Sequence, residues 1–362
     1  MELTPLRVTS GADFSLVGEI DEYASLRWVR RWQRAGEVEL TLNYNMPYAD
    51  KLMRGNIIEY GDLTAIIDNV VYDQKEGGKG AEQLTVRAKS TATLIDRFVT
   101  KPPPGEAYRV ASGPSESVMK TFVMAALSGL TNFTVAMDKR RGAESAWQTR
   151  YDNLAALLEE MSIVTGLGWD VSIDYENGLF VFEVLEGVSR IEVSDNPVIF
   201  SPDYDNLKVV SYEESDRDYK NVAIVGGQGE GAARTIVEVA VGSPSGLDRR
   251  EVFVDARDLD TVEGLTNRGL QTLAQSPVRR TLTADILTNS ITVYQKDWDM
   301  GDVVVVQNTN WGVSMNAQII EVTESVDDMS GRQLSAVFGT GVLRLSQAIK
   351  RETAKAEKEV KK

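Results

Sequence analysis

The pattern nearest to a catalytic constellation is Ser117-Val118-Met119-Lys120 at the start of a helical stretch, with Ser194-Asp195-Asn196 farther on. Together they imitate two of the three elements of a penicillin-binding active site, where the lysine neighbours a nucleophilic serine. The third element, Lys-Thr-Gly on an edge strand, is absent, so Ser-x-x-Lys is read as a coincidence of an amphipathic helix. A second candidate is Gly227-Gln228-Gly229-Glu230-Gly231-Ala232, which follows the strand-like run 221–225 and fits a relaxed dinucleotide fingerprint. Pyrophosphate binding there needs a helix next, with its N-terminus aimed at the phosphates. Residues 234–241 alternate as a strand instead, so the glycines are expected to form a hairpin loop. Acidic clusters at Asp203-Tyr204-Asp205, Asp216-Arg217-Asp218 and Asp327-Asp328 suggest calcium or paired-carboxylate chemistry. None has the spacing, central glycine and terminal glutamate of a calcium loop, and solvated loops are the expectation.

The chain has no cysteine and no histidine. That removes the usual zinc sites, Ser-His-Asp triads and cysteine nucleophiles, leaving Asp, Glu, Lys or Tyr as the only bases. No catalytic, cofactor-binding or metal-binding residue is assigned, and no enzymatic activity is expected. The net charge of −15 argues against a protein that grips nucleic acid by its phosphates. It is compatible with DNA as a passenger, because a duct that DNA slides through should repel phosphates. No apolar run is long enough to cross a bilayer, and the N-terminus has no secretion-signal pattern.

The elements that would position any site are mostly strands. At 25–32 the residues alternate, with Leu26, Trp28, Arg30 and Trp32 on one face, and 37–42 alternates again after a loop at 33–36. Trp28 and Trp32 are read as half-buried core residues. Pro102-Pro103-Pro104-Gly105 marks a boundary. Beyond it, Ser115 is expected to cap a helix ending near Gly129, and a second helix to run from Asp152 to Gly166. Strands at 168–173 and 179–184 are joined through Asn177-Gly178, a strong hairpin signal. Strands return from Leu207 onward, interrupted between 241 and 277 by a strand at 250–254 and a helix at 261–274. The tail at 343–362 is helical by propensity, with only a weak heptad pattern at Val342, Ile349 and Ala356.

One module occurs twice. Gly55-Asn56-Ile57-Ile58-Glu59-Tyr60, then 64–70, then 82–88 match Gly301-Asp302-Val303-Val304-Val305-Val306, then 316–322, then 332–337. Each copy is a glycine, a β-branched strand, a turn, a second apolar strand, a polar loop and a third strand opened by Gln-Leu. The fold class is therefore α+β and mainly β: two tandem-related β-barrel domains, an α+β insertion and a small helical insertion. The expected divisions are a first barrel at 1–100, the α+β insertion at 101–200, and a second barrel at 201–242 and 278–342. The small insertion takes 243–277 and a terminal helix 343–362. Such a duplication lets a trimer present six similar units around one axis.

Residues 25–32, 36–42, 55–59 and 65–68 resemble the opening of siphophage tail-associated (Tal-like) baseplate or tail-tip hub proteins. Residues 216–229, 249–256 and the helix through Arg268-Gly269-Leu270 look like the later part of the same family. The resemblance implies that the two barrels are tube-like β-barrel domains with the α+β insertion lateral to them. It also implies that three chains form a homotrimeric ring of pseudo-sixfold symmetry, similar to the myophage hub, that closes the tail tube in the virion. Its implied partners are a distal tail ring protein and the tail tube above and a spike, fibre or receptor-binding protein below, with DNA passing through. Two other readings stay open from the residues alone. One is a carboxylate-based cell-wall glycan hydrolase. The other is a monomeric carbohydrate-binding β protein, for which Trp28, Trp32, Trp298 and Trp311 would need exposure.

Overall fold

The computed structural model describes residues 4–74, 82–191, 194, 196–287, 290, 292–327 and 331–339. Ten strands build its frame. In the first half these are β1 (Ser25–Arg31), β2 (Glu37–Asn43), β3 (Ile57–Tyr60), β4 (Leu63–Gln74) and β5 (Glu82–Ser90). In the second half they are β6 (Leu207–Ser215), β7 (Arg279–Ile286), β8 (Val303–Asn308), β9 (Val313–Asp327) and β10 (Gly331–Gly339).

The two halves share one topology. The first is ordered β1-β2-β5-β4-β3 and the second β6-β7-β10-β9-β8, with every neighbouring pair antiparallel. Their irregularities coincide too. β4 bulges between Ile67 and Asn69 against β5, and β9 bulges between Ile319 and Glu321 against β10. A bulge re-aims a strand at a defined point, so its recurrence at one place in both copies marks the same design. Before each module sits a glycine at positive φ, Gly55 at 91° and Gly301 at 93°. Gly55 N–H donates to Ile67 carbonyl at 2.8 Å and Gly301 N–H to Ile319 carbonyl at 2.7 Å. The flanks differ: β3 pairs antiparallel with Leu6–Thr9, whereas β8 takes two short parallel partners, Ser189–Arg190 and Ile199–Phe200.

Alternation sets the burial. Leu26, Trp28, Leu40, Leu84 and Val86 face one core, and Leu282, Ala284, Val322, Leu334, Ala336 and Phe338 face another. The halves are not separate closed tubes. β9 pairs with β1, from Glu321 opposite Arg31 to Asp327 opposite Ser25, which runs both modules into one sheet. Among the described residues no pairing closes either half into a barrel.

The lateral insertion is a third core. Helix α1 (Ser115–Ala126) and helix α2 (Leu154–Thr165) pack on strands Gly168–Asp174 and Leu179–Leu185 through Phe122, Leu158, Met161, Trp169 and Phe182. Ser115 is the first residue of α1, not its cap. Its N–H and that of Glu116 reach the carbonyls of Ala143 and Arg141, and its hydroxyl also donates to Ala143, so the loop replaces a side-chain cap. Helix α2 starts two residues later than expected, capped by Asn153, and ends at Gly166 in the left-handed region.

Strands Val222–Gly226 and Ile236–Ala240 depart from the expected division. The expected division places them in the second barrel, but they pair with each other and with Glu251–Asp255. The reason is apolar cover: Ala223, Val225 and Val239 pack against Leu265 and Leu273 of helix α3 (Val262–Ala274), forming a small core of their own. The terminal helix expected at 343–362 lies outside the described residues.

Candidate interface: the polar sheet face and its open edges

The residues that tempted a chemical reading are engaged in structure. Lys120 Nζ donates to Glu116 Oε1 at 2.6 Å and to the Met137 carbonyl at 2.8 Å, while Ser117 donates to Asp138, so serine and lysine serve different partners. The 227–232 glycines lie in the loop between two antiparallel strands, with a 3-10 turn at Gly231–Ala233 and no long helix following. The Asp203 carboxylate accepts from the Ser201 and Thr309 hydroxyls, Asp216 pairs with Arg250, and Asp218 pairs with Arg279 at 3.3 Å. Asp195 and Asp328 lie outside the described residues. Trp28, Trp32 and Trp298 are buried and Trp311 alone of the four is exposed, so three of the four rings needed for stacking on sugar are inaccessible.

Trp32 joins three bodies. Its indole Nε1 donates to the Gly166 carbonyl at 2.9 Å, at the end of α2, and the Gly301 backbone lies against its ring. Gln318 Nε2 donates to both Gly166 and Gly301 carbonyls, at 2.9 and 3.0 Å. Trp169 returns the contact, its Nε1 donating to the Gln33 carbonyl at 3.0 Å. Across the β9–β1 seam, Arg31 bridges Glu37 and Glu321 at 2.9 and 2.8 Å. Alternation identified these tryptophans as apolar; it carried no signal that one of them sits where the insertion meets both modules.

Asp170 lies on the strand facing this junction, opposite Glu183. Burial pushes its carboxyl up to about 6, although the Val171 N–H and the Arg30 charge pull the other way. A folded-state value above the unfolded 3.8 means the native state holds the proton more tightly. Stability is thus lost as pH rises from about 4 to 6 and stays lost above it. Asp170→Asn, which keeps the acceptor for Val171, should gain up to about 3 kcal/mol at pH 8 and nothing at pH 3. Urea unfolding at the two pH values measures this; equal effects at both would contradict it.

Among the described residues, the other face of the long sheet and its edges have no layer packed over them. Arg27, Thr41, Arg87, Thr283, Asp285, Thr323, Ser325, Gln333 and Ser335 point away from the cores, and none is buried. A groove of about 360 Å³ crosses this face over the seam, lined by Arg27, Lys208, Asp285, Glu321, Thr323, Gln333 and Arg332 among others. Its lining carries both charge signs and many hydroxyls, a surface suited to water and not to tight apolar docking. At the sheet's end, among the described residues, β6 has a partner only on its β7 side. The second half of β4, beyond the β3 pairing at Leu63–Ile66, likewise pairs on one side only among the described residues. Tyr72 on that stretch is 61% exposed and meets Tyr44 edge to face at 5.4 Å.

The model of the family described as Siphovirus ReqiPepy6 Gp37-like protein matches residues 5–340. Among solved structures, the chain is similar to the 43 kDa tail protein of prophage MuSo2 from Shewanella oneidensis. That likeness has a TM-score of 0.56 at 13% identity and covers 92% of this chain and 98% of that one. The tail protein from Neisseria meningitidis MC58 gives 0.56 at 14%, covering 92% and 95%. Prophage tail protein gp18 from Listeria monocytogenes EGD-e gives 0.56 at 12%, covering 98% and 99%. Comparison with curated proteins finds no match.

Proposed function

The chain belongs to the Siphovirus ReqiPepy6 Gp37-like family, and from that premise and the fold it shares with prophage tail proteins we propose that it is a structural protein of the virion tail, acting as the tail-tip hub. In this role three copies form a ring of pseudo-sixfold symmetry that closes the tail tube. The observation that carries the reading is the exact repetition of strand order, bulge and positive-φ glycine in the two modules. Two like modules per chain give a threefold assembly six like positions, the number a sixfold tube presents.

The modules complete tube-like barrels only in the ring, where open sheet edges find partners. The polar face of the sheet lines the passage, and with the net charge of −15 it lets DNA slide without being held. The tail tube and its last ring protein sit on one side, and a spike, fibre or receptor-binding protein on the other. The role is assembly, not catalysis, which accords with the structural contacts occupied by Lys120, Ser117, Asp203 and Asp216.

Light scattering on the purified chain should return the mass of three chains, and negative-stain images should contain threefold rings with a central hole. A monomer that persists at high protein concentration overturns the proposal.

A further inference from the structure

The internal duplication specifies how the copies join. Within one chain, the seam between modules is β9 on β1. The matching strand of β9 in the first module is β4, and the matching strand of β1 in the second is β6, because each holds the same place in its five-strand order. Both are open where the seam would form: β6 on its outer side, and β4 beyond Ile67, the point at which β9 leaves β8 and takes up β1. We propose, resting on the trimeric reading above, that β4 of one protomer pairs antiparallel with β6 of a second copy, repeating the β9–β1 seam.

The register follows from the coincident bulges and the pairings on either side. Glu321 follows the bulge of β9 as Asn69 follows that of β4. Trp28 faces Val38 on β2 as Tyr212 faces Leu282 on β7, and Val38 and Leu282 occupy the same place against Ala88 and Phe338. Thr323 opposite Val29 therefore becomes Val71 opposite the partner's Glu213, and Glu324 opposite Trp28 becomes Tyr72 opposite the partner's Tyr212.

The chemistry of the two edges agrees with that alignment. Val70, Val210 and Tyr212 each pack on the core side of their own module, so the core faces of both strands stay on one side of the joined sheet. Exposed Tyr72 gains a cross-strand aromatic partner, a favourable pairing on a sheet. No two like charges face each other in this register. A slip of two residues in one direction sets Asp73 against Glu213, which penalises it.

Cysteine pairing tests the register, since the chain has no cysteine of its own. Trp32 N–H donates to the Ile320 carbonyl, so Arg31 opposite Glu321 and Val29 opposite Thr323 alternate as non-hydrogen-bonded and Val29 stays in that set. By equivalence, Val71 and Glu213 form a pair whose Cα atoms lie about 4.5 Å apart, within disulfide reach. On mild oxidation the double variant Val71→Cys with Glu213→Cys should give a reducible three-chain species without reductant. Val71→Cys with Ser211→Cys, a diagonal pair, should give several-fold less. A variant that is trimeric in solution but does not cross-link, or cross-links equally in both pairs, overturns the strand pairing and leaves the trimer standing. A double variant that is monomeric and uncross-linked at high concentration removes both.

Discussion

Gly301→Ala should destabilise the protein by about 2–5 kcal/mol, whereas Gly55→Ala, at the equivalent place in the first module, should cost only about 1–2. The two glycines share a backbone conformation, with φ of 93° and 91°, so the strain of a side chain in the left-handed region is common to both. Their surroundings are not common. A Cβ on Gly301 would lie 2.2 Å from the Trp32 ring, while one on Gly55 would meet nothing within 4 Å. The difference between the substitutions therefore reads the packing of Trp32 alone. That ring cannot retreat, because its Nε1 is bonded to Gly166 and its backbone carbonyl accepts from Trp169 N–H. Relief by displacement would separate the lateral insertion from both modules. Urea unfolding of the three proteins, fitted with a common slope, measures the effect. Equal costs at the two positions would show that Trp32 is free to move.

That asymmetry also shows where sequence patterning stops. The β-branched alternation of 57–60, 64–70 and 303–306 reported strands, and Asn177-Gly178 reported a turn, because local periodicity and turn chemistry act within a few residues. Glycine at 55 and 301, followed by the same strand pattern, was enough to reveal the repeat. The contacts that make Gly301 different come from residues 32 and 318, and no spacing in the sequence encodes that meeting.

The same limit explains the strands at 222–226 and 236–240. Their apolar alternation suits any sheet. What assigned them to the small core was α3, which offers Leu265 and Leu273 to Ala223, Val225 and Val239. Glycine at 269 lets the helix approach closely, since a Cβ there would lie 2.8 Å from Val239. Candidate site residues fared alike. Ser-x-x-Lys was legible as helix and could be set aside for want of its third element. That Lys120 instead neutralises a buried glutamate one turn earlier was equally present in the spacing, as an i, i+4 pair, but burial was not.

Lys120→Met should accordingly cost about 3–5 kcal/mol, the usual penalty for removing one partner of a buried ion pair. Glu116 is fully buried and Lys120 nearly so. Burial by itself would push the Glu116 carboxyl up; the Lys120 ammonium and the backbone N–H groups of Arg141 and Lys139 outweigh it and hold the carboxyl below its ordinary value. Methionine preserves the volume of the lysine stem and removes the charge, leaving Glu116 ionised with only the more distant Arg141 guanidinium, at 3.9 Å, or forced to take a proton. In the wild type a depressed carboxyl contributes stability above its unfolded value of 4.5, and that contribution is lost as pH falls through the folded value. In Lys120→Met the burial penalty is opposed only by the remaining N–H donors and the more distant Arg141 guanidinium, so the pH dependence should flatten. Adding Glu116→Gln, which keeps an acceptor for the Arg141 N–H at 3.0 Å, should recover a large part of the loss. A double variant no more stable than Lys120→Met would mean that the lysine acts through its bond to the Met137 carbonyl, and not through the charge of Glu116.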